Sequence, residues 1–374
     1  MAAMNLIAGL VIASHPERHD NLETVRSWTD DWVHGVNIYQ PDESPDYPPN
    51  AIVTLSPLAA FPAKWLIAAW AAFNVVLALL APYLALRSIR PTLTLSEAAL
   101  PMCMLLCWGG FRTLLQFTLV AVVLGLFSIV LADKRRTLAG ICLGFALIKP
   151  QVAAPFILWA LFTRRFRLIA VALATASAAF AIYCVRVAAN PVSVAANHLA
   201  ALRRFYTGGA AMAGLSELRP LIARIVPGVT ARDSIVMTVG LALLAVVCVV
   251  GSLEGKRKIS LLYSAPALAG LWSLLVFRHL AYGFVLLLPL AALLWLDTNP
   301  ATATFRKRVF WFLQIAMMAD VPGLWRRFGH PAPIPPAAGG WIDQVDRVVM
   351  IVLFLCVLKL ALTETPASNQ LIAS

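Results

Sequence analysis

Eight of the chain's eighteen carboxylates fall in one stretch near the N-terminus: Glu17, Asp20, Glu23, Asp30, Asp31, Asp42, Glu43 and Asp46. A later stretch is rich in arginine, with Arg203, Arg204, Arg219, Arg224 and Arg232. Lys149 stands just before Pro150 between two apolar runs, and Arg112 and the pair Arg278-His279 head two others. Guanidinium groups hold phosphate through paired hydrogen bonds. An ammonium surrounded by apolar residues is costly and usually functional. A basic surface facing an acidic loop suits a phosphate-bearing substrate next to a carboxylate catalyst. The same residues also fit plainer roles. Surface arginines contact lipid headgroups, a lone histidine at a span end sits at the interface, and a lysine stem snorkels. Residue types alone leave both readings open.

The carboxylates need an element to hold them. Leu22, Val25, Trp28, Trp32 and Val33 recur at helical spacing, which predicts a one-sided helix over 21–34. Its two tryptophans suit a membrane interface. Asp20 stands where a carboxylate caps free amides, and Gly35 supplies the stop. On such a helix Glu23 lies one turn from Asp20, close enough to share a site. Asp30 and Asp31 lie ~15 Å along it, too far to do so. Asp20 as a simple cap is the competing explanation.

Composition puts these elements in a membrane. Of 374 residues, 60% are hydrophobic and 13% charged, where a soluble domain is nearer half apolar and a quarter charged. The apolar residues form runs near the length that crosses a ~30 Å hydrocarbon core as a helix. The fold class expected is all-α, a polytopic transmembrane bundle over 1–374 with amphipathic interfacial helices on the outer face. About twelve spans are read, near 4–14, 63–86, 94–108, 112–132, 137–148, 151–163, 166–187, 234–252, 259–276, 281–296, 309–323 and 347–363. The first is read as a short span rather than a cleaved signal peptide, because it lacks a basic start. Tight basic clusters at Arg87/Arg90, Lys134–Arg136, Arg164/Arg165/Arg167, Lys256–Lys258 and Arg306–Arg308 mark the inner side. Three longer segments then lie outside: 15–62, the basic 188–233 and the Pro/Gly-rich 324–346. The net charge of +12 is dispersed among the spans rather than gathered in a stripe, which argues against nucleic acid. Cys103, Cys107, Cys142, Cys184, Cys248 and Cys356 sit inside apolar runs as packing residues, and no metal site or cofactor is expected.

Several motifs add to this. After Asp20 come Gly35-x-x-x-Tyr39, then Tyr47-Pro48-Pro49, then Leu55-Ser56-Pro57-Leu58 and Phe61-Pro62. Farther on stand Leu138-Ala139-Gly140, Gly144, Lys149-Pro150 and the basic end Arg164-Arg165-Phe166-Arg167. A late element runs Trp272, Arg278-His279, Tyr282 and Pro289, while Gly110 and Gln116 loosely echo a Gly-Gln element. In order and spacing this pattern, over about residues 15–295, resembles the polyprenol-phosphate-mannose-dependent α-(1,2)-mannosyltransferases, glycosyltransferase family 87 of the GT-C superfamily.

The resemblance implies an enzyme of the cell inner (plasma) membrane with its site on the periplasmic face. It would move a sugar, mannose by default, from a polyprenyl-phosphate donor to a hydroxyl of a glycolipid or glycan acceptor, with inversion. The family's catalytic aspartate falls on Asp20, which would take the acceptor proton, with Glu23 beside it. The family match gives His279 a role in the site, assisting the base or binding donor phosphate. Lys149 would bind donor phosphate, and Arg278, Arg203, Arg204 and Arg112 are further candidates. Tyr47 would shape the loop and stack on sugar or lipid. A transporter or lipid flippase without chemistry is the reading of a different class; the absence of an internal repeat and the gathering of acids in one loop argue against it.

Overall fold

The computed structural model describes residues 1–15, 20–41, 44–207, 217–222, 224–226, 228–256, 264–277, 279, 281–296, 300–319 and 344–363. Arg278, Glu17, Asp42, Glu43 and most of the 324–346 segment lie outside the described residues, as does the side chain of Asp20. The described residues are helical and contain no strand. The helices in chain order are α1 (Ala2–Ala13), α2 (Asp20–Val33), α3 (Pro49–Leu55), α4 (Ala63–Ile89), α5 (Leu95–Leu105), α6 (Thr118–Leu131), α7 (Arg136–Ala146) and α8 (Pro150–Phe162). They continue with α9 (Phe166–Arg186), α10 (Pro191–Thr207), α11 (Arg219–Ile222), α12 (Val229–Lys256), α13 (Ser264–Val276), α14 (Leu288–Leu296), α15 (Ala303–Ala319) and α16 (Val345–Thr363). Short 3-10 turns run over Ser56–Ala60, Gly109–Arg112 and Ala281–Leu287.

Among the described residues, three helices are long and apolar enough to cross a membrane: Trp65–Ile89 within α4, Phe166–Arg186 as α9 and Thr230–Leu253 within α12. Others read as spans are shorter. α7 has 11 residues and α8 has 13, so each is roughly 16–20 Å long, short of a ~30 Å core. The break between them has a local cause. A residue before proline is held out of the helical region, and Lys149, with φ −129° and ψ 88°, is extended. Pro150 then starts α8, where its missing N–H costs nothing. The two helices form a hairpin with Lys149 at its tip. At its base Arg165 bonds Asp133 at 2.8 Å, and Lys134, Arg135, Arg136 and Arg167 line one open cavity. Two of the basic clusters expected on a common side thus share one end of the bundle.

Small residues let this hairpin sit close to α9. A Cβ on Gly140 would stand 2.6 Å from the Cβ of Val171, and one on Gly144 would stand 2.8 Å from the Ala172 carbonyl oxygen. Helices pack at such distances through small-residue faces. The obstacles at Gly144 are the Thr175 Cβ at 2.6 Å and the Ala172 carbonyl oxygen, both fixed by the α9 backbone, so Gly144→Ala has no flexible side-chain end to push aside. We expect it to lower stability by roughly 1–3 kcal/mol, read as a lower thermal midpoint in detergent.

The first-loop helix forms as its periodicity predicts. Leu22 and Val25 are fully buried, and Trp28 packs against the core. Trp32 stacks on Tyr183 of α9, with ring centroids 6.5 Å apart. Val33 instead faces outward at 36% exposure, because the helix ends there and its last residue turns off the buried stripe. Gly35 adopts φ +82°, and the Gly35 and Val36 amides bond back to the Trp32 and Asp31 carbonyls. This is the left-handed stop that glycine makes cheaply.

Candidate functional site

The loop after Gly35 is clamped from two sides. The Ile38 amide donates to the Tyr183 hydroxyl, and that hydroxyl lies 3.1 Å from the Asn37 amide oxygen. From α10, Asn197 donates to the Tyr39 carbonyl at 2.9 Å, His198 Nδ1 meets the Pro45 carbonyl at 3.3 Å, and Arg204 donates to the Pro41 carbonyl. Tyr39 is buried and its hydroxyl donates to the Tyr47 carbonyl at 2.6 Å. The Gly-x-x-x-Tyr element therefore acts as a brace for Tyr47. Asn50 continues the brace, donating at 3.2 Å to the Leu147 carbonyl in the α7–α8 break.

Tyr47 and Lys149 meet there. The Lys149 ammonium is buried; its Nζ lies 5.4 Å from the centre of the Tyr47 ring and 5.1 Å from that of Tyr282. It donates a 3.0 Å hydrogen bond to Thr118 Oγ1. Thr118 is the first residue of α6, a helix whose start has no side-chain cap. Free amides at a helix start attract anions, and so does an ammonium. Two features with the same electrostatic preference thus lie side by side, with the Tyr47 and Tyr282 rings against the ammonium. Burial here rules out snorkelling as the account of Lys149 in this fold.

His279 lies within electrostatic reach of Lys149 and is buried. Its Nε2 is 3.1 Å from Ser273 Oγ, which donates its proton to the Gln151 carbonyl at 2.5 Å. A hydroxyl has one proton to give, so Nε2 carries the imidazole hydrogen and Nδ1 keeps its lone pair. Gly283 leaves room for the ring, since a Cβ there would fall 2.8 Å from the His279 Cβ.

The start of α2 reaches the same pocket. Asn21 donates at 2.9 Å to the Gln116 amide oxygen, and its side chain also meets the Tyr47 hydroxyl. Burial holds the Tyr47 phenol well above its usual pKa, with Tyr282 and Asp46 adding to the effect. The backbone of Asp20 is thus one residue from Asn21, and Asn21 touches the tyrosine that covers Lys149. Glu23 is exposed on the same helix.

The remaining described candidates bond to other groups in the fold. Arg112 donates to Asn5 Oδ1, and Asn5 also holds the Leu106 and Trp108 carbonyls, so Arg112 ties α1 to the turn before α6. Arg203 and Arg204 are exposed on α10, and Arg204 serves the loop backbone. Residue types alone did not single out Asn21, Thr118 or Ser273. Neutral amides and hydroxyls are common everywhere, and only their neighbours mark these three.

The family model for glycosyltransferase family 87 matches residues 46–253, more than half of the chain. This chain belongs to glycosyltransferase family 87. It is accordingly a glycosyltransferase, with sugar donor and acceptor as substrates. The family 87 match covers Asp46, Tyr47, Thr118 and Lys149; Asp20, Asn21, Ser273, His279 and Tyr282 lie on either side of it. No curated protein and no solved structure matches the chain.

The clamp over this family 87 pocket is sensitive to acid. Burial pushes His198 below the ordinary histidine pKa, against the Pro45 carbonyl and Asp46, which pull it up. The unfolded chain then binds a proton more readily than the folded one. Stability from this contact is present above pH ~6.5 and lost as pH falls further. We expect the protection of the amides of residues 37–40, taken relative to their intrinsic exchange rate at each pH, to fall between pH 7.5 and 5.5, and His198→Gln to flatten that dependence.

Proposed function

We propose that this family 87 enzyme is a multi-pass GT-C transferase that takes a sugar, mannose foremost, from a polyprenyl-phosphate donor. The acceptor is a hydroxyl on a glycolipid or glycan, and transfer proceeds with inversion. One observation carries this reading: a buried lysine and an uncapped helix start, held together beneath Tyr47 and Tyr282. That pair suits a phosphate leaving group, which needs positive charge rather than a strong acid.

In the mechanism, Lys149 and the α6 start hold the donor phosphate and stabilise the charge that develops as the bond to the sugar breaks. Asp20, at the start of α2, takes the proton from the acceptor hydroxyl as it attacks the far face of the sugar. That displacement inverts the anomeric centre. Tyr47 and Tyr282 offer ring faces to sugar or prenyl chain. His279, with a free lone pair on Nδ1, assists by hydrogen bonding. Glu23, Arg112, Arg203, Arg204 and Arg278 are second-rank contacts for acceptor or headgroup.

The pocket lies at the tip of the α7–α8 hairpin, opposite the basic base. With basic clusters facing the cytoplasm, that tip lies toward the extracytoplasmic face of the inner membrane, in a bundle of about twelve full or partial spans. A lipid-linked donor suits a site at this depth. The test is direct. Purified protein in nanodiscs is given radiolabelled prenyl-phosphate mannose and a membrane glycolipid extract, with nucleotide sugars as comparison. Label should pass to the extract from the prenyl donor alone. Transfer from a nucleotide sugar, or passage of intact donor across vesicles without transfer, would sink the reading.

A further inference from the structure

The base of the α7–α8 hairpin collects positive charge at two helix starts. α7 begins after Arg135 and α9 after Arg165, and neither start has a side-chain cap or an acidic residue in its first turn. Helix starts carry free amides and favour anions, whereas cations belong at helix ends. Here that preference is reversed twice, by Arg136 in the first turn of α7 and by Arg167 in that of α9. These two arginines, with Lys134, Arg135 and Leu138, line an open cavity of about 540 Å³. Among the described residues the lining has one acid, Asp133, and it pairs with Arg165 at 2.8 Å. Lys134, Arg135, Arg136 and Arg167 make no ion pair or side-chain hydrogen bond among the described residues. Four cations and two uncapped helix starts thus share one hollow.

The surroundings bear on the rest of the ligand. α9 is long and apolar enough to cross a membrane, so Arg167 in its first turn lies near the level of the lipid headgroups. Leu138 on the cavity wall and Phe166 beside Arg167 are 40% and 60% exposed. Positive charge next to uncovered apolar side chains suits an amphiphile with an anionic head. We infer that this cavity binds the headgroup of an acidic phospholipid, a phosphodiester whose head carries no cation of its own. The phosphate takes hydrogen bonds from the first α7 amides and from the guanidinium groups, and the acyl chains lie along Leu138 and Phe166. A zwitterionic head is disfavoured, because its ammonium would face four cations. The bound lipid offsets the repulsion at the two helix starts and ties the α6–α7 turn to the α8–α9 turn, as the Asp133–Arg165 pair also does. Lys149 lies at the other end of the hairpin, so this site is independent of the donor reading.

The experiment uses the full chain in phosphatidylcholine nanodiscs with a rising share of phosphatidylglycerol. The acidic lipid should raise the thermal midpoint saturably, by roughly 3–6 °C. Arg136→Gln and Arg167→Gln should each need about fivefold more of it for the same rise, the order expected for one cation at a lipid surface. In phosphatidylcholine alone both variants should melt at or above the wild-type midpoint, because a like charge at a helix start is gone. A lower midpoint there would make these arginines structural and overturn the inference. Arg308→Gln removes an equal charge from an exposed position outside the cavity. If it weakens the response as much, overall charge attracts the lipid and the site falls. Inorganic phosphate that reproduces the rise in phosphatidylcholine would give the cavity to a soluble anion and overturn the lipid assignment.

Discussion

Asp20→Asn should reduce sugar transfer by roughly 10²–10⁴-fold while the protein inserts and melts as the wild type does. The substitution separates two explanations of one residue. Asparagine caps a helix start about as well as aspartate, so α2 keeps its N-terminus and the Asn21 contacts to Gln116 and Tyr47 survive. What asparagine lacks is basicity. A residue that serves only as a cap would therefore show near wild-type transfer after the change. A residue that receives the acceptor proton would lose about 3–5 kcal/mol of transition-state stabilisation. The loss should fall on kcat, with donor affinity nearly unchanged, because the proposed mechanism places the donor phosphate against Lys149. Glu23→Gln is the matched control on the same helix. Its exposed side chain predicts a much smaller effect, and a larger effect there than at Asp20 would move the base one turn along α2.

Lys149→Met should act on the other substrate. Methionine keeps most of the stem's volume and removes the charge, so packing between Tyr47 and Tyr282 is retained. Hydrogen bonds to a charged group are worth about 1.5–3 kcal/mol, which is roughly a 10–100-fold rise in donor KM. Further loss in kcat follows because negative charge grows on the phosphate as it leaves. We expect kcat/KM for the donor to fall by about 10²–10³-fold in all, with acceptor KM little changed. Lys149→Arg should not restore it. A planar fork differs in shape and donor directions from the compact ammonium that bonds Thr118 between the two rings. Donor saturation unaltered by Lys149→Met would remove phosphate binding from this residue.

The sequence made the helices legible where apolar period and local stops agreed. Gly35 ended α2 as its position implied, and Leu22 and Val25 faced inward. Lys149 stood out because a charge amid apolar residues is expensive, and Pro150 beside it marked the helix break. Other features were not readable, for physical reasons. Apolar runs show where a chain avoids water but not whether one helix crosses or two short ones meet, as α7 and α8 do at their hairpin. Asn21, Gln116, Thr118 and Ser273 carry no charge, so only contacts made across about 30 to 120 residues of chain reveal them. Arg112 and Arg204 looked like phosphate ligands by type. In the fold each gives a donor to its own surroundings, Arg112 to Asn5 and Arg204 to the Pro41 carbonyl, because long polar side chains also satisfy backbone and amide groups nearby.

The hydrogen bond from Lys149 to Thr118 and the rings on either side have a thermodynamic consequence. A free lysine side chain loses up to ~2 kcal/mol of rotamer entropy when it is fixed. Here that immobilisation accompanies folding, before any lipid arrives. On the proposed role of Lys149, donor capture need not order a flexible four-carbon arm, and a greater share of the contact energy is left for discriminating one phosphate-bearing lipid from another.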